Sequence, residues 1–260
     1  MTKDNIAQYE DDLISVIVPA FNASSTLERS LQSIKDQSYP RWEALVVDDA
    51  SEDGTKELMR HLQAREPRIR TIFLAENQGA AVARNEGLKR AKGRYVAFLD
   101  ADDYWDEQKL EKQLAFMRQN GYGFTYTWYT NIYENKAKAD RLIKAPPYLT
   151  LSSSLKNTII GCLTVMIDRK QIGEFYMPEI RSGQDHVTWW RILERGHMAY
   201  GLQENLASYR IGNRQTLSSN KLKTAKKRWY NYRHVMGFSW SKAAYYFSCY
   251  VYYSLRKHYF

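Results

Sequence analysis

Cysteine is scarce in this chain: two in 260 residues, Cys162 and Cys249, far apart and in no metal-ligand spacing. That excludes a disulfide framework and fits a reducing compartment. Long apolar runs are missing as well; none approaches the roughly 20 residues that span a bilayer. The first twelve residues, MTKDNIAQYEDD, are polar and acidic and do not read as a signal peptide. Neither a GxGxxG nor a Walker A pattern occurs, which speaks against a Rossmann dehydrogenase and a P-loop enzyme. Acid is missing from one region. Between Asn205 and Phe260 there are eleven Lys and Arg and no Asp or Glu. The remainder carries 27 basic and 29 acidic groups, so the net charge of +9 belongs to the tail. The tail also holds nine of the twenty tyrosines. A basic, aromatic terminus on a near-neutral body predicts an anionic surface as partner. No nucleic-acid motif accompanies the charge, so nucleic acid is not expected.

What is present begins with alternation. Apolar, β-branched runs at Ile14–Phe21, Trp42–Val47, Ile69–Leu74 and Tyr95–Leu99 read as strands. Between them, Leu27, Leu31 and Ile34, then Lys56–Arg65, then Ala80–Ala91 read as helices. This order predicts an α/β fold with a mostly parallel central sheet flanked by helices. Ligands of such sheets bind beyond the carboxyl ends of the strands. Three strand ends carry polar candidates: Pro19 to Asn22, Asp48-Asp49, and Asp100-Ala101-Asp102.

The last is the most informative. YVAFLDADDYW delivers three carboxylates to the end of a buried strand, where they need water or a cation. Acids spaced Asp-x-Asp project the same way from extended backbone, so Asp100 and Asp102 can share a hard divalent cation. The alternative is an N-cap, Asp102 or Asp103, before a helix over Trp105–Met117.

VIVPAFN, VVDDASEDGT, ENQGAAVARNEG and GRYVAFLDADDYW follow one another in the order and spacing of a known family. Together they resemble the inverting family-2 glycosyltransferases of the GT-A fold, of the bacterial surface-polysaccharide type. The resemblance is strong over residues 13–105 and continues to about 222. It implies a hexosyl- or N-acetylhexosaminyltransferase that moves a sugar from a UDP-sugar to a glycan or lipid-linked acceptor. Residue by residue, it implies that Pro19 and Ala20 line the nucleotide through their backbone. Asp49 would accept from the uracil N3–H, with Asp48 as the turn former. Arg84 would sit on the donor side. Asp100 would lie near the ribose or a metal-bound water, and Asp102 would hold Mn²⁺ or Mg²⁺. Asp103 is read as a helix cap, with a supporting partner behind the metal ligand as the other reading. In IRSGQDHVTWWRIL the family's acidic pair is reduced to Gln184-Asp185, with Asp185 as general base and His186 as its rival. After a strand at Leu206–Arg210, relatives often read YRxH. Here Gly212 stands at the histidine position, and Arg210, Asn213 or Arg214 is left to meet phosphate.

The alternating aromatics of residues 122–133 read as a strand, as does Ile159–Ile167. In the tail, Ala225, Trp229, Tyr232 and Met236, then Trp240, Ala244, Phe247 and Val251, fall at helical spacing. The expected organisation is a flexible N-terminus (1–12), a nucleotide-sugar half (13–105), an acceptor half of the same domain (106–215) and basic, aromatic C-terminal helices (216–260). A basic amphipathic tail predicts peripheral contact with an anionic membrane, at the cytoplasmic face of the cell membrane. Two other readings are a non-catalytic protein of the same fold that binds a protein partner, and a sugar nucleotidyltransferase. The latter should carry a Gly-rich basic loop after the first strand, which VPAFNASS lacks.

Overall fold

Alternating apolar runs and amphipathic helices fold as their periods require. A computed structural model describes residues 9–134, 138–157, 159–211 and 221–259. The first half runs β1 (Glu10–Ala20), α1 (Leu27–Lys35), β2 (Trp42–Asp48), α2 (Thr55–Arg65), β3 (Ile69–Phe73), α3 (Ala80–Arg90) and β4 (Gly93–Phe98). The second half runs β5 (Tyr104–Trp105), α4 (Lys109–Asn120), β6 (Phe124–Tyr133), β7 (Arg141–Ile143), β8 (Tyr148–Leu149), α5 (Leu151–Lys156), β9 (Met166–Asp168), α6 (Arg169–Ile172), α7 (Gln184–Glu194) and β10 (Ala199–Ile211). Two C-terminal helices follow, α8 (Lys221–Tyr230) and α9 (Trp240–Tyr259), joined by a π turn at Asn231–Val235.

One sheet spans both halves in the order β3-β2-β1-β4-β9-β6-β10-β5, with β7 on β6 and β8 on β10. Strands β3, β2, β1 and β4 are all parallel. Beyond β4 the sheet is mixed, because β9 runs antiparallel to both β4 and β6 while β10 and β6 are parallel. Alternation along β1 builds both faces of the core. Ile14, Val16, Val18 and Ala20 meet Leu27, Leu31 and Ile34 of α1 on one face. Ile17 meets the other core layer, with Leu88 of α3 and Trp189 of α7.

Four local expectations are corrected. Residues 10–12 belong to β1 and not to a flexible leader; Asp12 is held by Arg41 at 3.0 Å and Arg118 at 2.6 Å. The helix expected from Trp105 starts at Lys109, because Trp105 pairs with Ala207 and its indole N–H donates to the Leu163 carbonyl at 2.8 Å. The run Ile159–Ile167 is not one strand. It makes a 3₁₀ turn at Cys162–Thr164 that Thr164 closes by donating to the Gly161 carbonyl, and only Met166–Asp168 joins the sheet as a strand. In α9 the apolar stripe is displaced. Ala243 is buried and Tyr246 and Phe247 pack on the core, whereas Ala244 is exposed and Trp240 is 69% exposed. Gly212, Asn213 and Arg214 lie outside the described residues, as do the side chains of Lys221, Arg256 and Lys257.

Helix α3 lies close on β1 because residue 87 has no side chain. A methyl group at Gly87 would come within 2.7 Å of Ile17 Cγ2. Gly87→Ala is expected to lower the unfolding free energy by about 1–3 kcal/mol, through overpacking, in spite of alanine's helix propensity. Urea titration measures it; an unchanged midpoint would contradict this packing of α3 on β1.

Candidate active site

The carboxyl ends of β1, β2 and β4 open onto one cleft of about 680 Å³. Its wall at β1 is Pro19 to Ala23, and Phe21 stands 49% exposed at the mouth. This wall is fixed by cross-links to the loop after β2. The Asn22 amide donates to Ser51 Oγ at 2.9 Å and the Ala23 amide to Thr55 Oγ1 at 2.8 Å. In return, the Glu52 amide donates to Asn22 Oδ1 at 3.0 Å. Asn22 and Ala50 both take left-handed backbone, φ +49° and +58°, an unfavourable conformation that these bonds hold in place.

At the end of β2 the two acids separate in role. Asp48 is fully buried and accepts from the Ser51 amide through both oxygens, so it forms the turn. Asp49 lines the cleft. Its Oδ1 accepts from the Gln78 amide and its Oδ2 from the Gly79 amide, both at 2.8 Å. Those amides lead into α3, so Asp49 also fixes where α3 begins. Each carboxylate oxygen keeps a further lone pair.

Arg84 is buried on α3 and pairs with Asp100 at the end of β4. Burial alone would favour loss of the guanidinium proton. Asp100 and the more distant Asp185 reverse that, and Arg84 is held firmly cationic. Its Nε has no partner among the described residues.

Asp102 projects into the cleft from its exposed edge. Its carboxyl lies above the ordinary range, first because the cleft walls strip water from it and then because Asp100 repels its charge. Asp103 is not a helix cap, because α4 starts six residues later, where Asp106 serves the Gln108 amide at 3.0 Å. Asp103 is instead 1% exposed. Its Oδ1 accepts from the Arg210 amide at 2.9 Å, and its Oδ2 has no partner. Burial, then Asp100 and Asp102, push its carboxyl well above the ordinary value.

This donor set fits a divalent cation. Crowded, desolvated carboxylates with an orphaned oxygen ask for positive charge, and oxygen donors suit a hard ion. Among the described residues no three His, Cys, Asp or Glu side chains converge as a complete ligand set. An ion held here would take few ligands from the described side chains, leaving most of its shell to other oxygens.

Gln184, Tyr209, Arg210 and Glu134 complete the lining, and Arg210 pairs with Glu134. Glu134 escaped the sequence reading; the only signal was a charge closing the aromatic run of β6. Gln184 opens α7, and Asp185 follows it in the first turn behind the cleft lining. Burial would raise the Asp185 carboxyl. His186, Arg84, the His186 amide and Arg228 together outweigh that, and it lies below the ordinary range. His186 Nδ1 is 3.4 Å from Asp185 Oδ1. Six of the seven expected site residues therefore line one cleft: Pro19, Ala20, Asp49, Arg84, Asp100 and Asp102. The seventh, Asp185, stands beside it within electrostatic reach of Arg84.

This geometry has counterparts. The family model described as Glycosyl transferase family 2 matches residues 15–173. A Bacillus subtilis (strain 168) protein, TuaG, named as a candidate teichuronic acid biosynthesis glycosyltransferase, is 48% identical over 93% of this chain and 94% of its own. The Escherichia coli UDP-Glc:α-D-GlcNAc-diphosphoundecaprenol β-1,3-glucosyltransferase WfgD is 38% identical over 85% of each chain. Among solved structures, residues 1–349 of S. aureus TarS in complex with UDP-GlcNAc superpose with a TM-score of 0.69 at 20% identity, over 92% of this chain and 71% of that one. The mannosyltransferase PcManGT of Pyrobaculum calidifontis, in complex with GDP-Man and Mn²⁺, gives 0.66 at 21%, over 87% and 64%. The chain thus spans about two thirds of these solved chains and most of the length of both sequence relatives. By its family model, its near-full-length relatives and its GT-A fold, the chain belongs to glycosyl transferase family 2.

Proposed function

We propose that this enzyme transfers a hexosyl or N-acetylhexosaminyl group from a UDP-sugar to a hydroxyl of a lipid-linked saccharide, inverting the anomeric centre, in polysaccharide biosynthesis. The observation that carries the reading is one cleft lined by Asp49, Arg84 with Asp100, and Asp102. WfgD, by its name, uses UDP-Glc and a diphosphoundecaprenol acceptor, and TarS has been solved with UDP-GlcNAc.

In this reading Pro19 and Ala20 line the nucleotide and Asp49 accepts from the uracil N3–H with its remaining lone pair. Arg84 holds Asp100 toward the ribose. Asp102 holds Mn²⁺ or Mg²⁺, which, when bound, supplies Lewis-acid stabilisation of the departing diphosphate. Asp185 takes the proton of the acceptor hydroxyl as that oxygen forms its bond to the anomeric carbon. The carbon–oxygen bond to the diphosphate breaks on the opposite face, and its electron pair leaves with UDP. A carboxylate below its ordinary range is already deprotonated at neutral pH, as a base must be.

Asp102→Asn tests the donor side. UDP with Mn²⁺ is expected to raise the melting temperature of the wild type, and the variant should lose that rise. Hydrolysis of UDP-glucose or UDP-GlcNAc, whichever the wild type cleaves, should fall about 100-fold. Equal stabilisation and turnover in the variant would overturn the metal assignment.

The acceptor reading includes a surface. Among the described residues no helix is long and apolar enough to cross a membrane. Helix α9 instead exposes Trp240, Tyr245, Tyr252 and Leu255, and α8 exposes Tyr230 with Lys223 and Lys226. Aromatic rings and lysines without acids suit an anionic bilayer at its cytoplasmic face. The protein is expected to float with vesicles containing phosphatidylglycerol and not with pure phosphatidylcholine. Trp240→Ala combined with Leu255→Ala should weaken this flotation; equal flotation with both vesicle types, or none, would contradict it.

A further inference from the structure

A lysine lies in the core with no acid beside it. Lys109 opens α4 and is 0% exposed, as deep as its neighbour Leu110. Its Nζ donates to Gln113 Oε1 at 2.7 Å and stands 4.2 Å from the Trp105 ring centroid. From its Nε2, Gln113 donates to Thr125 Oγ1 at 3.1 Å and to the Thr164 carbonyl at 2.9 Å. The Trp105 indole donates to the adjacent Leu163 carbonyl. Lys109 therefore sits between the two side chains that tie α4 and β5 to the 3₁₀ turn at Cys162–Thr164. That turn is continuous with the floor of the cleft, since Leu163, Trp105 and Ala101 share one core cluster.

An ammonium here is short of partners. It has three donors, and it meets one side-chain oxygen and one ring face. The acids of the surrounding elements are engaged elsewhere. Asp103 accepts from the Arg210 amide, Asp106 from the Gln108 amide, Glu111 of α4 from Ser38 and Asp168 of β9 from Arg94, while Glu204 of β10 pairs with Lys112. Arg29 of α1 lies over the Tyr104 ring. Burial raises Cys162 of the turn, Tyr129 of β6 and Tyr209 of β10, so these stay neutral. Burial also pushes Lys109 down from 10.5 to about 7. Its shortest way to water is through the start of α4, where Asp106, Glu107 and Gln108 are exposed. A first helical turn is also cheap to open, because its amides lack intrahelical partners.

We propose that Lys109 is a proton-sensitive tie: as a neutral amine it closes α4 onto the turn at Cys162–Thr164, and uptake of a proton from solvent opens the first turn of α4. The proposal is independent of the roles assigned to Asp102 and Asp185. The opened lysine holds its proton up to its ordinary value of 10.5. Opening therefore becomes easier as pH falls from 10.5 to 7, and levels off below pH 7, where both forms are protonated.

Two measurements on the full chain test it. With ¹³Cε-labelled lysine, one resonance is expected to titrate near pH 7 and to be missing in Lys109→Met, whose unbranched side chain fills the same space. Lysine resonances that all move only above pH 9 would overturn the proposal. Hydrogen exchange then follows the Leu110 amide, which donates to Gln37 Oε1 at 2.9 Å. Corrected for intrinsic exchange, its protection should fall about tenfold per pH unit from pH 9 to pH 7 in the wild type and stay level in Lys109→Met. The Val16 amide of β1 should change less. Equal pH dependence in wild type and variant, or a fall shared equally by Val16, would also overturn the proposal.

Discussion

The pairing of Arg84 with Asp100 organises the site, because a sheet that ends in clustered acid must neutralise part of it internally. A buried guanidinium is expensive without a partner, and a strand end with three carboxylates is expensive without a cation. Placed together on α3 and β4, each offsets the other. The pair leaves Asp102 and Asp103 above their ordinary range, so the fold pairs one acid and leaves charge demand at the other two. The same guanidinium reaches Asp185 electrostatically. One cation therefore lies within electrostatic reach of both the strand-end acids and the first turn of α7.

Around that pair, rigidity comes from hydrogen bonds that join consecutive loops. Asn22, Ser51 and Thr55 bind the ends of β1 and β2 into one wall. Asp49 ties the β2 end to the first turn of α3, which carries Arg84 one turn later. On the far side, Trp190, Tyr232 and Asn231 bind the C-terminal helices to α7. Asp49, Asp100 and Asp103 are thus each held by an element other than their own.

Much of this was legible in the sequence. The four parallel strands and three helices of the first half follow the apolar periods within a few residues, because each run is bounded by turn residues or acids. Asp48 closes the turn as expected, through the Ser51 amide, and Asp49, equally buried, lines the cleft. The errors share a cause: tertiary contacts overrode local pattern. Asp103 looked like a cap, but Trp105 is drawn into the sheet by Ala207 and Leu163, which delays α4. The run Ile159–Ile167 is apolar because it turns inside the core, not because it is extended. The α9 stripe was misplaced because an aromatic helix has apolar residues nearly all round, and only docking against Tyr232 and Phe238 selects the buried face. Glu134 needed the fold, since strand β10 brings Arg210 to it from a distant segment.

The central claim is that donor and base act from opposite sides of one anomeric carbon. Its most direct test is the configuration of the product, read from the anomeric proton coupling in ¹H NMR after transfer from an α-linked UDP-sugar. The account predicts a β-linked product. An α-linked product would contradict a single displacement, and with it the role assigned to Asp185.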